Sequence, residues 1–424
     1  MRRNYFIVGL ILLIFFVISL LTNILGPLIP DIILSFHLRL ALAGLLPFSF
    51  FIAYGIMSIP AGILVEKYHE KPVLVASFVL AFAGSLLFAV VPQYWIALIS
   101  LFMIGIGMAM LQVAINPLLR VSGGEEHFAF FSVMGQLIFG LASFISPHIY
   151  SYLVRNLTGY KANDNSLLTL LSKVVPPELP WVSLYWIFAA ITVAMIVILS
   201  VIRFPQIELK ESEKIGVWGT YKELLNNKIV ILYFFGIFAY VGSEQGVANW
   251  ISKFLNMYFG LNPQVEGAST VSYFWGLMTA GCVVGLLLLK LMDSRHVLVI
   301  FVSAAFITLT FALFGTKIVS SIAFPMIGFF ASVMWSVVFS LALNSVDRHH
   351  GSFSGILCMG IIGGAVVPLL IGWLGDIFGL RIALFVLYVT FGYLLSIGFW
   401  SKPLIANATI FGNSSQREKK TEKI

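Results

Sequence analysis

Charged residues are scarce in this sequence. Asp, Glu, Lys and Arg make up 10% of the 424 residues, whereas soluble domains average about 25%. Hydrophobic residues make up 60% of the chain, which is more apolar surface than a soluble fold buries. The formal net charge is +7, but the basic residues are scattered and form no single patch of the kind that nucleic-acid binding requires. The composition therefore excludes a soluble domain and a nucleic-acid-binding protein, and it predicts a chain that lies in lipid.

Cysteine is almost absent, since the chain has two, Cys282 and Cys358, both inside apolar runs. Their spacing matches neither a disulfide framework nor a metal site, so we expect no metal and no cofactor. A cleavable signal peptide is not expected either. The N-terminal run is long enough to span a bilayer and lacks a small-residue cleavage site.

Long hydrophobic runs are what the chain has instead. A membrane-spanning helix needs about 20 mainly apolar residues, and twelve runs meet that length. They cover residues 4–26, 41–65, 72–91, 94–119, 128–154, 181–203, 229–254, 268–291, 297–315, 321–345, 353–377 and 380–400. The sequence thus predicts an all-α polytopic membrane protein with twelve transmembrane helices.

The polar segments divide the twelve runs into two sets of six. We predict an N-terminal six-helix half (1–203), a cytoplasmic linker (204–228), a C-terminal six-helix half (229–400) and a cytoplasmic tail (401–424). Eighteen of the 25 Lys and Arg residues fall on one side of this topology, and basic loops face the cytoplasm. We therefore expect both termini to be cytoplasmic in a protein of the cell membrane.

Weak internal symmetry supports two halves. The second run ends "GILVEKYHEKPVL" and the eighth ends "GLLLLKLMDSRHVL", while the fifth starts "HFAFFSVMG" and the eleventh starts "SFSGILCMG". Each pair is separated by six helices. Two parallel repeats of this kind are typical of transporters that bind their substrate at the middle of the membrane, between the halves.

The stretch "GILVEKYHEK" resembles the loop between the second and third helices of the major facilitator superfamily, G-x-L-a-D-r-x-G-r-k, with Glu66 in place of Asp and His69 in place of the second Gly. "SIPAGILVEK", "LQVAINPLL", "AYVGSEQG", "FSLALNS" and "GIIGGAVVPLLIGWLGD" narrow the resemblance to the fucose–proton symporter family, which includes glucose/galactose transporters. The resemblance covers nearly the whole chain. It implies the twelve-helix major facilitator fold and sugar uptake by alternating access, often coupled to protons.

The sequence also departs in places from the family that it resembles. Proton-coupled fucose transporters carry an Asp in helix one and a Glu in helix four, and the matching positions here are Asn23 and Gln112. Neither amide titrates. We therefore expect coupling to differ from the proton-coupled members, with Na⁺ symport or uniport as alternatives.

Deep polar and aromatic side chains are the candidate substrate-binding residues, because polar groups at bilayer depth are costly and tend to face a cavity. Amides both donate and accept hydrogen bonds, as sugar hydroxyls do, and aromatic rings pack against the apolar faces of a sugar. The alternative for each amide is a hydrogen bond between packed helices, and for each Trp ordinary core packing. The candidates are Asn23, Gln112, Asn116, Gln136, Gln245, Asn249, Trp275 and Trp335.

Glu244 is the one carboxylate that the predicted spans place well inside a helix. We predict that it carries the coupling ion, as a proton carrier or as an oxygen ligand for Na⁺. The alternatives are a hydroxyl acceptor for the sugar and a paired carboxylate that serves packing.

A further set of residues is expected to serve conformational change. Gly and Pro in helices four and eleven permit close contact and bending, and charged residues after helix two are expected to hold one face closed, with a solvated turn as the alternative. The set comprises Gly62, Glu66, Lys67, Lys71, Pro117, Gly363, Gly364 and Pro368.

The sequence thus favours a non-enzymatic transporter of a neutral hexose or deoxyhexose, acting as a monomer in the bilayer with H⁺ or Na⁺ as a coupling partner. A drug or metabolite exporter of the same superfamily is the main alternative. A sensor without transport activity is a further one. A membrane enzyme would need His, Asp or Ser groups converging at one membrane face, and the sequence shows no such set.

Overall fold

The computed structural model describes residues 4–123, 128–159, 166–202, 204, 218–346 and 350–404. Within these ranges it is helical, and twelve helices or helix pairs are long and apolar enough to cross a membrane. This confirms the predicted all-α class and the number of spans. Of the predicted regions, residues 205–217 of the linker and 405–424 of the tail lie outside the described residues.

The helices run in chain order as α1 (Tyr5–Thr22), α2 (Leu25–Phe36), α3 (Leu40–Tyr68), α4 (Glu70–Val90), α5 (Tyr94–Gly123), α6 (Phe128–Leu157), α7 (Ser166–Val174), α8 (Ser183–Val201), α9 (Trp218–Leu225), α10 (Lys228–Phe259), α11 (Ala268–Leu291), α12 (Ser294–Phe314), α13 (Lys317–Ala331), α14 (Met334–Leu343), α15 (His350–Met359), α16 (Gly363–Phe378), α17 (Leu380–Ala383) and α18 (Val386–Trp400). Short 3₁₀ or π turns precede α8, α11 and α16, at Pro180–Val182, Pro263–Gly267 and Gly360–Ile362.

Several spans consist of two consecutive helices. The first span is α1 with α2, the tenth is α13 with α14, the eleventh is α15 with α16, and the twelfth is α17 with α18. The first span reaches Phe36, ten residues beyond the expected end at residue 26. Pro27 lies in the first turn of α2, where the missing N–H of proline has no intrahelical partner to lose. Pro27 therefore does not end the span.

Helix packing repeats after six spans. In the first six, span one packs on spans four and five, span four on spans two and three, and span three on span six. In the last six, span seven packs on ten and eleven, ten on eight and nine, and nine on twelve. The same neighbours recur because each helix of one set has a counterpart six spans later. This repetition agrees with parallel repeats, while the exact division into domains remains a prediction.

The two sets of six spans meet along a seam formed by three helix pairs. Span two (α3) packs on span eleven (α16), span five (α6) on span eight (α11), and the end of span one (α2) on span seven (α10). We call the face of the bundle that carries both ends of the described chain the terminal face, and the opposite face the distal face. The distal face includes the turns at His37–Arg39, Gly260–Asn262 and Gly379.

Candidate functional site

Asn23 breaks the first span near its middle. It is the C-cap of α1, and its backbone N–H donates to the carbonyl of Ser19. Its side-chain Nδ2 donates to Oγ of Ser143 at 2.8 Å, and the Ser143 and Ser19 hydroxyls lie 2.6 Å apart. Asn23 is 5% exposed. The side chain thus joins span one to span five within the N-terminal set, in a small polar cluster that includes two hydroxyls.

Gly26 brings this break close to span seven. A Cβ at position 26 would overlap the carbonyl oxygen of Ala248 and lie 3.5 Å from Cα of Asn249. Only a residue without a side chain permits this approach of two backbones. The break in span one therefore lies against the stretch of α10 that contains the candidate amides Gln245 and Asn249.

Gln245 and Asn249 bind each other. Asn249 Nδ2 donates to the backbone carbonyl of Gln245 at 2.8 Å and to its side-chain Oε1 at 3.2 Å. Both are buried. The i, i+4 spacing does place them on one face, and the contact between them fixes the orientation of each amide. Such a fixed pair can present its remaining amide groups to a ligand, or it can serve packing alone.

Glu244 is the centre of a polar and aromatic cluster in the C-terminal set, which we call the Glu244 cluster: Tyr240, Glu244, Gln245, Cys282 and Trp335. The carboxylate accepts a hydrogen bond from Gln245 Nε2 at 3.1 Å, and the Tyr240 hydroxyl is close enough to interact with it electrostatically. The Cys282 thiol lies within electrostatic range of it. The Tyr240 and Trp335 rings are 6.0 Å apart, and Trp335 stacks on Phe339.

Glu244 is half-buried although it lies midway along a 32-residue helix. The residue is therefore only partly covered by protein at this depth in the bundle. A carboxylate, an amide and two aromatic rings in one place can accept hydroxyl protons, donate to oxygen and cover an apolar face. This combination suits a polar organic molecule or a small cation.

The remaining candidates are spread over other helices. Trp275 is 3% exposed, and its indole N–H has no acceptor among the described residues. Gln112 is half-buried and has bonding partners, whereas Gln136 is exposed. The side chains of Asn116 and Pro117 lie outside the described residues. The contacts described for Trp275, Gln112 and Gln136 do not join any of them to the Glu244 cluster.

Asp31 is a buried carboxylate that the sequence reasoning missed. It lies in α2, is 6% exposed, and accepts from the Tyr150 hydroxyl at 2.5 Å and from Gln264 Nε2 at 3.2 Å. The expectation that Glu244 is the one carboxylate inside a span is therefore wrong. Ending the first span at residue 26 left Asp31 outside it. The signal that could have found it is the apolar run "ILGPLIPDIIL", which continues beyond both prolines.

Of the residues expected to serve conformational change, some contact neighbouring helices and others are exposed. Lys71 Nζ donates to the carbonyls of Ser200 and Ile202, which joins spans three and six inside the N-terminal set. Glu66 and Lys67 are exposed, with the Lys67 ammonium 5.1 Å from the Tyr68 ring. Gly62 is buried in α3.

The three residues of this set in span eleven, Gly363, Gly364 and Pro368, all pack closely against other helices. A Cβ at Gly363 would overlap the carbonyl of Phe238, one at Gly364 would lie 3.1 Å from Phe51, and the Pro368 carbonyl accepts from Trp250 Nε1 at 3.2 Å. Gly364 faces both sets of spans, since Phe51 belongs to span two and Val241 to span seven. Pro368 does so as well, because a Cβ at Gly44 of span two would lie 3.1 Å from its carbonyl oxygen.

An apolar groove of about 450 Å³ lies beside spans two and eleven, lined by Ala41, Leu42, Leu45, Val366, Leu369, Leu370 and Trp373. Polar ligands require convergent polar groups, and this lining has almost none. The groove is therefore unsuited to a sugar.

Comparison with known proteins places the chain in a family. The model of the Major Facilitator Superfamily matches residues 11–367. A glucose/galactose transporter of Brucella abortus biovar 1 is 29% identical over 407 residues, covering 94% of each chain. The L-fucose-proton symporter of Escherichia coli is 24% identical over 402 residues, covering 89% of each.

Solved structures show the same fold. A crystal structure of the E. coli fucose:proton symporter superposes with a TM-score of 0.68 at 21% identity, covering 95% of this chain and all of that one. A bacterial homologue of the lysosomal transporter Spinster, in an inward-facing conformation, gives a TM-score of 0.76 at 14% identity, covering 94% of this chain and 96% of the other. The chain belongs to the Major Facilitator Superfamily, and it is a membrane transporter, not an enzyme.

Proposed function

We propose that this protein transports a neutral hexose or deoxyhexose across the cell membrane by alternating access. The similarity to transporters of glucose, galactose and fucose extends over nearly the whole chain, which supports a sugar as substrate. The observation that carries the proposal is the Glu244 cluster, which combines a half-buried carboxylate, an amide and paired aromatic rings at mid-helix.

The substrate site would lie between the two sets of spans. From span seven it would use Gln245 and Asn249, and from span one Asn23, which Gly26 brings close to Asn249. Trp335 would cover the apolar face of the sugar, and the unpaired indole N–H of Trp275 would find its acceptor in a sugar hydroxyl. Gln112, Asn116 and Gln136 would extend the site from spans four and five.

Glu244 would carry the coupling ion. The family acids of helices one and four are absent here, and Glu244 lies beside the proposed sugar site with hydroxyl and amide groups around it. In this arrangement one carboxylate can contact both the ion and the sugar. Binding of the ion would then raise sugar affinity, and binding of the sugar would raise ion affinity by the same factor.

A thermal-shift screen of the purified protein against a sugar panel, with and without Na⁺, tests the substrate class. A ligand that binds the folded state raises the melting temperature in proportion to RT ln(1 + [L]/Kd). We expect a hexose or deoxyhexose to give a shift and mannitol, a linear polyol of similar polarity, to give none. Shifts from lipophilic drugs with none from any sugar would replace this proposal with the exporter.

Uptake into proteoliposomes tests the coupling. We expect sugar uptake to survive collapse of the proton gradient or to depend on Na⁺, and Glu244→Gln to abolish the ion dependence. Glu266→Gln is the matched control, because Glu266 lies in the turn before α11 and accepts from the backbone of Asn262. Uptake driven strictly by pH and unaffected by Glu244→Gln would contradict the assignment.

The orientation and assembly belong to the same proposal. The protein would act as a monomer with both termini, the 204–228 linker and the tail in the cytoplasm, so that the distal face is extracellular. The excess of Lys and Arg on the terminal side supports this orientation. The exposed Glu66 and Lys67 would hold the terminal face closed in the alternate state, and Pro117, Gly363, Gly364 and Pro368 would permit the helix movements.

A further inference from the structure

The long helix α3 begins without a cap of its own. Its N-cap residue is Arg39, which has an extended backbone, and the Arg39 side chain makes no capping hydrogen bond. The first N–H groups of a helix have no intrahelical acceptor, and this end of the helix carries partial positive charge. Four of the described helices, α1, α10, α12 and α13, have a local side-chain acceptor at this end. Asp293, for example, caps α12 by accepting from the N–H of Arg295.

The missing cap of α3 comes from the other set of spans. The Asp376 carboxylate, at the end of α16, accepts from the backbone N–H of Leu40 at 2.8 Å and from that of Ala41 at 2.9 Å. Each carboxylate oxygen takes one N–H group. A negative charge at a helix N-terminus with two charge-assisted hydrogen bonds is a favourable contact, and here it joins span eleven to span two across the seam.

Two more residue pairs are hydrogen-bonded across the seam in the distal part of the bundle. Gln264, in the turn before α11, donates to Asp31 of span one at 3.2 Å, and Ser272 Oγ of α11 donates to the Phe144 carbonyl of span five at 2.5 Å. The structure is therefore closed at the distal face. The contact made by Asp376 differs from these two because it joins the last turn of α16 to the first turn of α3.

We propose that Asp376 is a gating residue of the transport cycle, which caps α3 from the opposite half and thereby favours the state closed at the distal face. Rocking of the two halves separates α3 from α16 at this face, and the two hydrogen bonds then exceed bonding distance. The open state leaves the N-terminus of α3 without this acceptor. The cap thus stabilises one conformation relative to the other, which is the condition for shifting their populations.

Cysteine labelling measures the equilibrium without any substrate. In a background in which Cys282 and Cys358 are replaced by Ser, Ser272→Cys introduces a reporter at a fully buried seam position. A membrane-impermeant maleimide reaches it from the distal side only when that face opens. We expect Asp376→Ala, which leaves no side-chain acceptor for the N–H groups of Leu40 and Ala41, to raise the labelling rate on the order of fivefold, which is the population change expected for losing one helix cap.

Two variants separate gating from helix stability. Asp293→Ala removes a cap contained within one half, so it should lower the melting temperature and leave the labelling rate unchanged. Arg39→Asn gives α3 a cap of its own. Added to Asp376→Ala, it should restore the melting temperature while labelling stays raised, because a local cap does not hold the two halves together.

The labelling experiment tests the gating role of Asp376 whether or not the substrate is a sugar. A labelling rate in Asp376→Ala equal to that of the background overturns it. So does a rate that Asp293→Ala raises equally, or one that Arg39→Asn returns to the background value, since each would mean that the cap serves stability alone. Failure of every sugar in the binding screen would leave the labelling result intact.

Discussion

Gly26 is the position at which a single methyl group should separate the two halves. Gly26 lies at the start of α2, against the backbone of α10. In Gly26→Ala the new Cβ would overlap the Ala248 carbonyl oxygen and lie 3.1 Å from the carbonyl carbon. The obstacle is backbone, so it cannot be relieved by a side-chain rotation, and spans one and seven must move apart.

The size of the effect follows from this geometry. Carbon atoms in contact lie about 3.5 to 4.0 Å apart, so the helices must separate by at least about 0.4 Å, and by more to clear the oxygen. Overpacking of this kind costs about 1–3 kcal/mol. Because spans one and seven belong to different halves, the cost falls mainly on the state in which they touch. The population of that state relative to the alternative should fall about 5- to 150-fold.

Proteoliposome uptake and thermal unfolding together measure this effect. We expect Gly26→Ala to reduce the uptake rate at least fivefold and to lower the melting temperature only slightly. Gly363→Ala is the matched variant within one half, since its Cβ would overlap the Phe238 carbonyl, and it should lower the melting temperature strongly. Gly9→Ala, whose Cβ meets nothing within 4 Å, should change neither. Wild-type uptake by Gly26→Ala would refute the reasoning.

Two further predictions concern the terminal face. His69, between α3 and α4, has φ +65° and ψ 174°, a backbone conformation that favours glycine and is strained for histidine. His69→Gly should therefore stabilise the protein by roughly 1 kcal/mol. An unchanged or lower melting temperature would show that this strain is absent. Burial raises the pKa of Asp293, but the hydrogen bonds from Arg295 and the charge of Arg295 together outweigh that effect, so the pKa lies below its usual 3.8. A carboxylate with a lowered pKa stabilises the fold above its unfolded pKa and loses that contribution as pH falls through the folded pKa. The small difference in melting temperature between wild type and Asp293→Asn at pH 7 should therefore begin to shrink below about pH 3.8 and vanish once the pH is below the folded pKa. A difference that persisted there would show that the cap does not depend on charge.

The spans were predictable because they depend on a local quantity. A run of about 20 apolar residues forms a helix in lipid wherever its neighbours lie, and all twelve spans appear in the structure. The errors lie at the ends. The predicted first span stopped at residue 26, because Gly26 and Pro27 looked like a terminus. The helix instead breaks at Asn23 and continues to Phe36, since α3, α10 and α11 pack around α2.

The candidate site was predictable only in part. The spacing of Gln245 and Asn249 correctly placed them on one face, but the sequence did not indicate that they bind each other. Glu244 was found because a carboxylate is rare in an apolar run, and its partner Tyr240 is one helical turn away. Trp335, in contrast, is 95 residues from Tyr240 in the chain, and only the fold brings the two rings together.

The sequence by itself determined that the chain lies in lipid, how many spans it has and which family it belongs to, because each follows from composition or from motifs along the chain. Only the tertiary structure decided which polar groups meet across the seam. Asp376 and Leu40 are 336 residues apart in the chain, and Asp31 and Gln264 are 233 residues apart. Each pair joins two helices whose approach depends on the packing of the whole bundle, so no local pattern could have revealed that the distal face is held by acidic residues.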